Sequence, residues 1–528
     1  MPEISSSVVL VLGGGGQVGF EICKKILSKK PSKMIVSTLT QKEGEKLIKD
    51  LKKLSQNTKL ELEWGNIFLR REIKDNTMEL TNTKIAQTIV NDVFDGLNED
   101  TLSKSFLFSI FEKHRPTLVI DAINTATALA YLDVYSQINR ENNEDKWLHL
   151  AASLELPQLI RHIQVLYHGF KIANTQQYLK IGTSGTGGLG LTLPFTHGEN
   201  EVPSRLLMNK AGIAGAHTML LWILARTPGA PIIKELKITS LIGWKKIGFG
   251  DIETQKGNIE IYDCPVENAL SVQKALQAGG GENQEKKLKG AWIDTGENGL
   301  FTRDMFAAIT HPEGMGLITP KEIAELAIRE LEGENTGKEI IHNLDQASVG
   351  PTFTGQGQRE HALDELKKLQ KEEVASISTL GPLTSKILWE GLILKKALQG
   401  LDKVSKTDTH EIQEKTFEII KTNKTLRTQI ISIGIPILLP TGKMLCGPAI
   451  NVPIKKTRNI TVNDIEKWAA IGWVDLRFKN WSRWRSWLQK YEDNVRYEYP
   501  KEKERKFEVG EVCGWIFANE LGGLRLKR

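Results

Sequence analysis

Cysteine is too sparse and too scattered here to build a framework. Cys23, Cys264, Cys446 and Cys513 stand alone in 528 residues, with no C-x-x-C pair. That excludes a disulfide scaffold and a cysteine zinc site, so no metal is expected, and it reads as reduced thiols in a cytoplasmic protein. Long apolar runs are missing too: nothing approaches the ~18 residues of a membrane span. The opening MPEISSS has neither the charged nor the apolar region of a secretory signal. No membrane partner is expected. Charge of one sign is equally scarce. The net charge is +6, and residues 454–528, with 17 Lys and Arg against 11 Asp and Glu, account for all of it. A basic patch so thin and so interrupted by acids gives no reason to expect a nucleic-acid partner. Repeats and low-complexity tracts are absent. What remains is ample core, since 40% of residues are hydrophobic, and at ~150 residues per domain the length suits two to four domains.

The most informative stretch is Val8 to Leu27, VVLVLGGGGQVGFEICKKIL. Five apolar residues without alternation predict a parallel strand covered on both faces. Gly13, Gly16 and Gly19 fit G-x-x-G-x-x-G, and Gly14, Gly16 and Gly19 fit the overlapping G-x-G-x-x-G. Glycine is needed there because backbone N–H groups must approach a pyrophosphate with no Cβ in the way, and because the last glycine lets helix and strand pack closely. Gln17 and Val18 open the helix, and Val18, Ile22 and Ile26 form its inward stripe. The helix N-terminus would face the phosphates. A flexible turn or a relic of such a fold is the competing reading.

The second strand is expected over Met34 to Leu39, and its end bears on the cofactor. An NAD site usually places Asp or Glu there for the ribose hydroxyls. This chain offers Ser37, Thr38, Thr40, Gln41 and Lys42. Hydroxyls and a lysine can bind a 2′-phosphate that a carboxylate would repel, which favours NADP and leaves NAD possible. A third strand, Leu60 to Phe68, contains Gly65-Asn66-Ile67, and a fourth, Pro116 to Ala122, leads directly into Asn124. Ligands of doubly wound sheets bind at the carboxyl ends of strands, so Asn66, Ile67 and Asn124 are cofactor-side candidates. Each Asn equally suits a plain turn.

Tyr178 to Ile181 is expected as the fifth strand, followed by GTSGTGGLG with Ser184, then a loop with His197, then a helix from Ser204 to Arg226. Ala211, Gly212, Ala214, Gly215 and Ala216 give that helix a small-residue side, suited to lying on a sheet or on a second copy of the chain. Ile232 to Gly243 is the expected sixth strand.

At this point Val8 to Trp244 resembles the short-chain dehydrogenase/reductase superfamily, in its extended or atypical branches. The resemblance rests on the glycine motif, Gly65-Asn66-Ile67, Asn124, Ser184 and Asn209-Lys210. It implies that Ser184 orients a substrate oxygen and that Lys210 holds the nicotinamide ribose. The tyrosine that the family uses as general acid four residues before the lysine is not there: position 206 is Leu206, and Asn66 stands where Asp is common. A positioned acid is worth about 10²–10⁴-fold in rate. His197, Tyr262 or a desolvated Lys210 would have to replace it, if turnover occurs.

Beyond Trp244, Gln277 to Lys289 reads as a flexible loop, Thr319-Pro320-Lys321-Glu322 as a capping box, and Lys338 to Leu344 as the last strand of the first domain. Gln358 to Ile377, Ser385 to Leu401 and His410 to Arg427 read as helices. Ile430 to Leu439 and Lys443 to Ile450 read as a hairpin about Pro440-Thr441-Gly442. Trp468, Trp473, Trp481, Trp484 and Trp487 suit a core, a subunit interface or, more weakly, a stacking platform.

The expected architecture is α/β: a Rossmann-type doubly wound parallel sheet with a large helical and α+β C-terminal extension. The expected domains are 1–349, 350–429 and 430–528. The expected activity is that of an NAD(P)-dependent oxidoreductase acting on a carbonyl or alcohol of a small-molecule substrate, in a chain that could form a homo-oligomer. A nucleotide-sugar epimerase or dehydratase with retained cofactor, and a non-catalytic dinucleotide-binding scaffold or redox sensor, are the alternatives.

Overall fold

Strand β1 (Val8–Leu12) lacks alternation because both of its faces are covered: Val9 and Val11 enter the core on one side of a sheet, Leu10 and Leu12 the core on the other. The computed structural model describes residues 3–54, 58–75, 82–130, 132, 146–183, 205–238, 241–254, 257–296, 299–311, 318–334, 353–377, 382–451, 460–498 and 507–521. The other strands of this sheet are β2 (Lys33–Thr38), β3 (Lys59–Trp64), β4 (Leu118–Asp121), β5 (Gln177–Thr183) and β6 (Ile232–Ile238). They pair in parallel in the order β3-β2-β1-β4-β5-β6, the doubly wound order whose reversal between β1 and β4 opens a crevice at the carboxyl ends. The expected Rossmann-type sheet is therefore present.

On one face, helix α1 (Gln17–Ser28) buries Ile22, Cys23 and Ile26, beside Leu47 and Leu51 of α2 (Gln41–Lys52). The same core takes Ile323, Ala324 and Ala327 from the helix Pro320–Leu331, which starts with the expected capping box at Thr319 and Glu322. Glu330 of that helix accepts from Lys234 on β6 at 2.7 Å, both groups buried. Where two helical patterns were expected between β3 and β4, three helices form: α3 (Thr83–Phe94), α4 (Glu99–Lys104) and α5 (Phe106–His114). Asn98 and Ser105 cap the last two and divide the run. Helices α6 (Thr125–Ala130) and α7 (Lys146–Ala152) precede α8 (Glu155–Ala173), and α9 (Arg205–Ala225) follows β5. Phe111, Leu166, Phe170 and Leu221 from α5, α8 and α9 cover the other face.

The chain divides otherwise than in the expected 1–349, 350–429 and 430–528. Its described residues form two compact units: those up to 241 group with the helix Pro320–Leu331, while 242–311 groups with 353–521. The segment 242–311 is thus not part of the sheet domain, and the two C-terminal regions are one body. The expected strand Lys338 to Leu344 lies outside the described residues.

The second unit is built from short antiparallel strands and helices. Gln277 to Lys289 is not a loop throughout: Glu282–Lys287 pairs antiparallel with Glu260–Asp263, and Lys289–Asp294 pairs with Lys246–Asp251. Its charges mislead because most of the Glu282–Lys287 side chains are exposed. The expected hairpin about Pro440 exists but is short, with Ile437–Leu438 against Lys443–Leu445, since Ile430 and Ile431 belong to the helix Lys424–Ser432. Trp468, Trp473, Trp481 and Trp484 are fully buried, and Trp487 nearly so, which places the indole row in cores. Trp484 Nε1 donates to Glu390 at 2.8 Å, and Glu390 also pairs with the buried Lys386 and accepts from the Asp475 amide at 2.9 Å. That set of partners is what makes a charged pair tolerable in an apolar core.

Candidate functional site: the carboxyl ends of the parallel strands

The glycine turn divides its labour by position. Gly13 has φ +75, in the left-handed region, and a Cβ there would lie 2.9 Å from Ile123 Cγ1. Its amide and that of Gly14 both donate to the Ser37 carbonyl at 3.0 Å, tying the turn to the end of β2. A Cβ on Gly19 would meet the Gly13 carbonyl oxygen at 2.2 Å, so this position sets the approach of α1 to the turn. Gly16, the N-cap of α1, is exposed, and a Cβ there has nothing nearer than 3.5 Å. Gly16 is the glycine of this turn that would take a Cβ without displacing any atom, and it stands at the helix N-terminus, where first-turn amides, including those of Gln17 and Val18, have no intrahelical acceptor. A pyrophosphate fits that cradle.

The adenosine-side candidates are arranged around this turn. Ser37 and Thr38 are buried at the end of β2, and the Thr38 hydroxyl donates to the Thr40 carbonyl at 2.9 Å. Lys42 is exposed in the first turn of α2. Beside it stands a group that sequence reasoning did not weigh: a Cβ on Gly15 would come within 2.4 Å of the Glu43 carboxylate, so Glu43 lies against the glycine turn. Asn66 accepts from the Phe68 amide at 3.0 Å and shapes its own turn, and the Ile67 side chain is core. Asn124 is exposed beyond β4 and accepts from the Thr127 amide at 3.1 Å at the start of α6.

At the substrate-side end, Ser184 and His197 lie outside the described residues. Tyr262 belongs to the second unit, on Glu260–Asp263. Lys210 is buried on α9, on the face that continues through Ala214, His217 and Thr218, and Leu206, one turn earlier, is a half-buried apolar side chain with no proton to give.

Beneath these positions lies a buried charged layer that sequence reasoning missed. Asp121, at the end of β4, accepts from the Tyr178 hydroxyl at 2.8 Å and has the Lys180 ammonium at 3.0 Å. Lys180 also donates to the Ile123 carbonyl at 2.8 Å and to the Thr125 hydroxyl at 3.1 Å, so β5 braces the loop that carries Asn124. On β6, Glu235 accepts from Thr218 at 2.9 Å, while Lys237, opposite Gly182 in register, donates to Thr218 and to the Ala214 carbonyl. Burial raises the Glu235 carboxyl and lowers the Lys237 ammonium. Burial first, then Asp121, holds Tyr178 far above the usual phenol range, which disqualifies it as a substitute acid. Burial also holds His217 well below the imidazole range. The available signal was an ionisable residue at alternate positions in apolar runs, as in LVID, YLKIG and IIKELKI.

Comparison with known proteins adds one family. The sequence model described as "Beta-methylindole-3-pyruvate reductase C-terminal domain" matches residues 261–521. No curated protein matches the chain in sequence. Among solved structures, Pen from Bacillus thuringiensis is 10% identical with TM-score 0.29 over 62% of this chain and 66% of its own. A short-chain dehydrogenase from Sphingobium yanoikuyae in complex with NADPH is 9% identical with TM-score 0.25 over 45% and 72%. The Bordetella bronchiseptica enzyme WbmG in complex with NAD and UDP is 12% identical with TM-score 0.22 over 45% and 55%.

Proposed function

We propose that the protein is an NAD(P)-dependent oxidoreductase of atypical short-chain dehydrogenase/reductase type, reducing a carbonyl of a small metabolite. The observation that carries this is the glycine turn: Gly13 and Gly19 required by turn and packing, and Gly16 open at the N-terminus of α1. The reductase family matched over 261–521 supports the direction of the chemistry. Its name contains a pyruvate, and a 2-oxo acid presents a ketone beside a carboxylate. Lys210, sheltered from water near the start of α9, suits a carboxylate there. A bound nicotinamide would supply or accept the hydride. The chain's part is to hold the ribose through Lys210, to orient the substrate oxygen through Ser184, and to keep positive potential near that oxygen without the family's phenol.

For the cofactor, Lys42 supports NADP, because its ammonium can meet a 2′-phosphate. Glu43 against the glycine turn favours the second reading, NAD, by repelling that phosphate. Comparing NADPH and NADH affinity in the parent, Lys42→Glu and Glu43→Gln separates the two.

A second copy of the chain as partner is supported by α9, where Met208, Met219 and Ile223 are exposed and a Cβ on Gly212 or Gly215 meets nothing within 4 Å. Those two glycines are exposed, while Ala214 of the same set packs into the core, so the small residues serve packing on one side and leave the other side open to a second copy. Cytoplasmic placement rests on the four buried thiols, none of them in a disulfide. Among the described residues no helix is long and apolar enough to cross a membrane, and none of the His, Cys, Asp and Glu side chains group as a metal site.

The test is NAD(P)H oxidation across aldehydes, ketones, 2-oxo acids and nucleotide sugars. Turnover of a 2-oxo acid or another carbonyl supports the reading. Cofactor binding with no turnover of any of them would replace it by the scaffold or sensor, and conversion of a nucleotide sugar to an epimer or dehydration product with no net NAD(P)H oxidation, followed by product analysis, by the epimerase or dehydratase.

A further inference from the structure

A cavity of about 40 Å³ lies within the first unit, away from the glycine turn, between the segment that follows Asn66 and helices α3 and α8. That is room for about three water-sized centres. Its apolar wall is Ile67, Leu69 and Val165, and its polar wall is Arg70, Asp92, Arg161 and His162. Arg70 and Asp92 satisfy each other, with Nε donating to Oδ2 at 2.8 Å and a second contact from Nη2 to Oδ1. Arg161 uses only Nη2, which donates to the carbonyls of Val93, at 3.1 Å, and Asp95. Its Nε and Nη1 are buried with no protein partner among the described residues. His162 is 4% exposed, packs on Phe68 at 4.8 Å between ring centroids, and has neither ring nitrogen bonded. The facing charges are therefore one neutralised pair and one guanidinium with unmet N–H groups. Asp95 offers it a carbonyl, and its carboxylate, like that of Asp92, acts on Arg161 only at longer range. Burial holds His162 down to about 4, so at neutral pH the ring presents one N–H and one lone pair, not a second cation.

We propose that this cavity binds a small monovalent anion of carboxylate size, held by the Arg161 guanidinium and the His162 ring. A buried N–H without an acceptor costs about 1–3 kcal/mol, more when charged, and an anionic oxygen removes that cost with a charge-assisted bond. The net single positive charge of the lining matches a monoanion. The volume matches the smallest carboxylates, and the small apolar wall suits a formate C–H or a methyl group.

The site also has a mechanical link. Phe68, whose ring packs at a tilt of 46° against His162, donates its amide to Asn66, so an anion that orders His162 also orders the turn holding Asn66. This consequence, unlike the anion site itself, rests on the dinucleotide reading.

The experiment is thermal unfolding of the full chain in sodium formate, with ionic strength held constant by sodium gluconate, whose anion is much larger than the cavity. Formate should raise the midpoint with the logarithm of its concentration once above its dissociation constant, by about 2–4 °C at roughly 100 to 1,000 times that constant. Arg161→Gln and His162→Phe, the second keeping a ring against Phe68, should each lose that rise. Equal midpoints in formate and gluconate would overturn the proposal, as would an unchanged formate shift in a variant that folds. If neither variant folds, saturation transfer from the parent protein to the formate proton decides, its presence supporting the site and its absence overturning it. NADPH affinity with and without formate reads the link to Asn66. A protein that responds to formate but binds no NADPH refutes the dinucleotide reading and leaves the anion site standing.

Discussion

Gly19→Ala and Gly16→Ala place the same methyl group three residues apart and should have very different consequences. At Gly19 the new carbon would lie 2.2 Å from the Gly13 carbonyl oxygen and 2.9 Å from the Gly13 carbonyl carbon and Gly14 Cα, all backbone. A comfortable C···O contact is about 3.3 Å or more, so α1 must back away from the turn by roughly 1 Å. No side-chain rotation can absorb that, and overpacking of this kind costs about 1–3 kcal/mol. At Gly16 the nearest atom is 3.5 Å away and φ is −70, so alanine fits. Its gain from a less flexible unfolded chain, about 0.4–1 kcal/mol, is offset by alanine's poorer capping, leaving a net change within about 1 kcal/mol. In thermal unfolding followed by circular dichroism, Gly19→Ala should melt several degrees below the parent at about 2–4 °C per kcal/mol, and Gly16→Ala close to it. Equal midpoints for the two variants would refute the division of roles within the turn.

Four further variants test the same structure. Lys210→Ala should weaken NAD(P)H binding and abolish turnover, and Leu206→Tyr should raise turnover by restoring a phenol on that helix; steady-state kinetics on the best substrate from the carbonyl panel checks both. Asp121→Asn should cost about 3–5 kcal/mol, because it leaves the buried Lys180 ammonium without its counter-charge; denaturant unfolding measures it. Asp304, buried on the helix Arg303–Ile309, is pushed up to about 6 by burial, against the neighbouring Arg303 and Lys395. A carboxyl raised in the folded state binds its proton more tightly there, so its stabilising contribution is full below the unfolded value, about 4, and is lost as pH climbs to about 6. Asp304→Asn should therefore be more stable than the parent at pH 8, by up to about 3 kcal/mol, with the difference vanishing near pH 4. Midpoints at the two pH values test the sign.

What could be read from the sequence was what local pattern controls. Val8–Leu12 and Gly13–Gly19 were legible because a two-sided strand and a tight turn leave their requirements in consecutive residues. Trp481, Trp484 and Trp487 were legible as one helix face, while their place in a core and not at an interface was decided by tertiary packing. The charged layer was not, since Asp121, Lys180, Glu235 and Lys237 sit on three strands and only the sheet order brings them together. The domain boundary failed for a related reason: the chain leaves the first unit after 241 and returns with Pro320–Leu331, whose place beside α1 is a long-range contact. Glu282–Lys287 escaped because a mostly exposed strand carries no apolar alternation. Glu43 escaped because its approach to Gly15 depends on the angle at which α2 leaves β2.

The central claim is that the turn from Gly13 to Gly19 holds a dinucleotide, and calorimetric titration of NADPH and NADH into the parent protein and into Gly16→Val tests it most directly. Valine at the open N-cap should leave the fold intact while occupying the space of the pyrophosphate. The account predicts that the parent binds at least one of the two with a single site per chain and that Gly16→Val loses that binding by more than about tenfold. No binding of either nucleotide to the parent, or undiminished affinity in Gly16→Val, would contradict it.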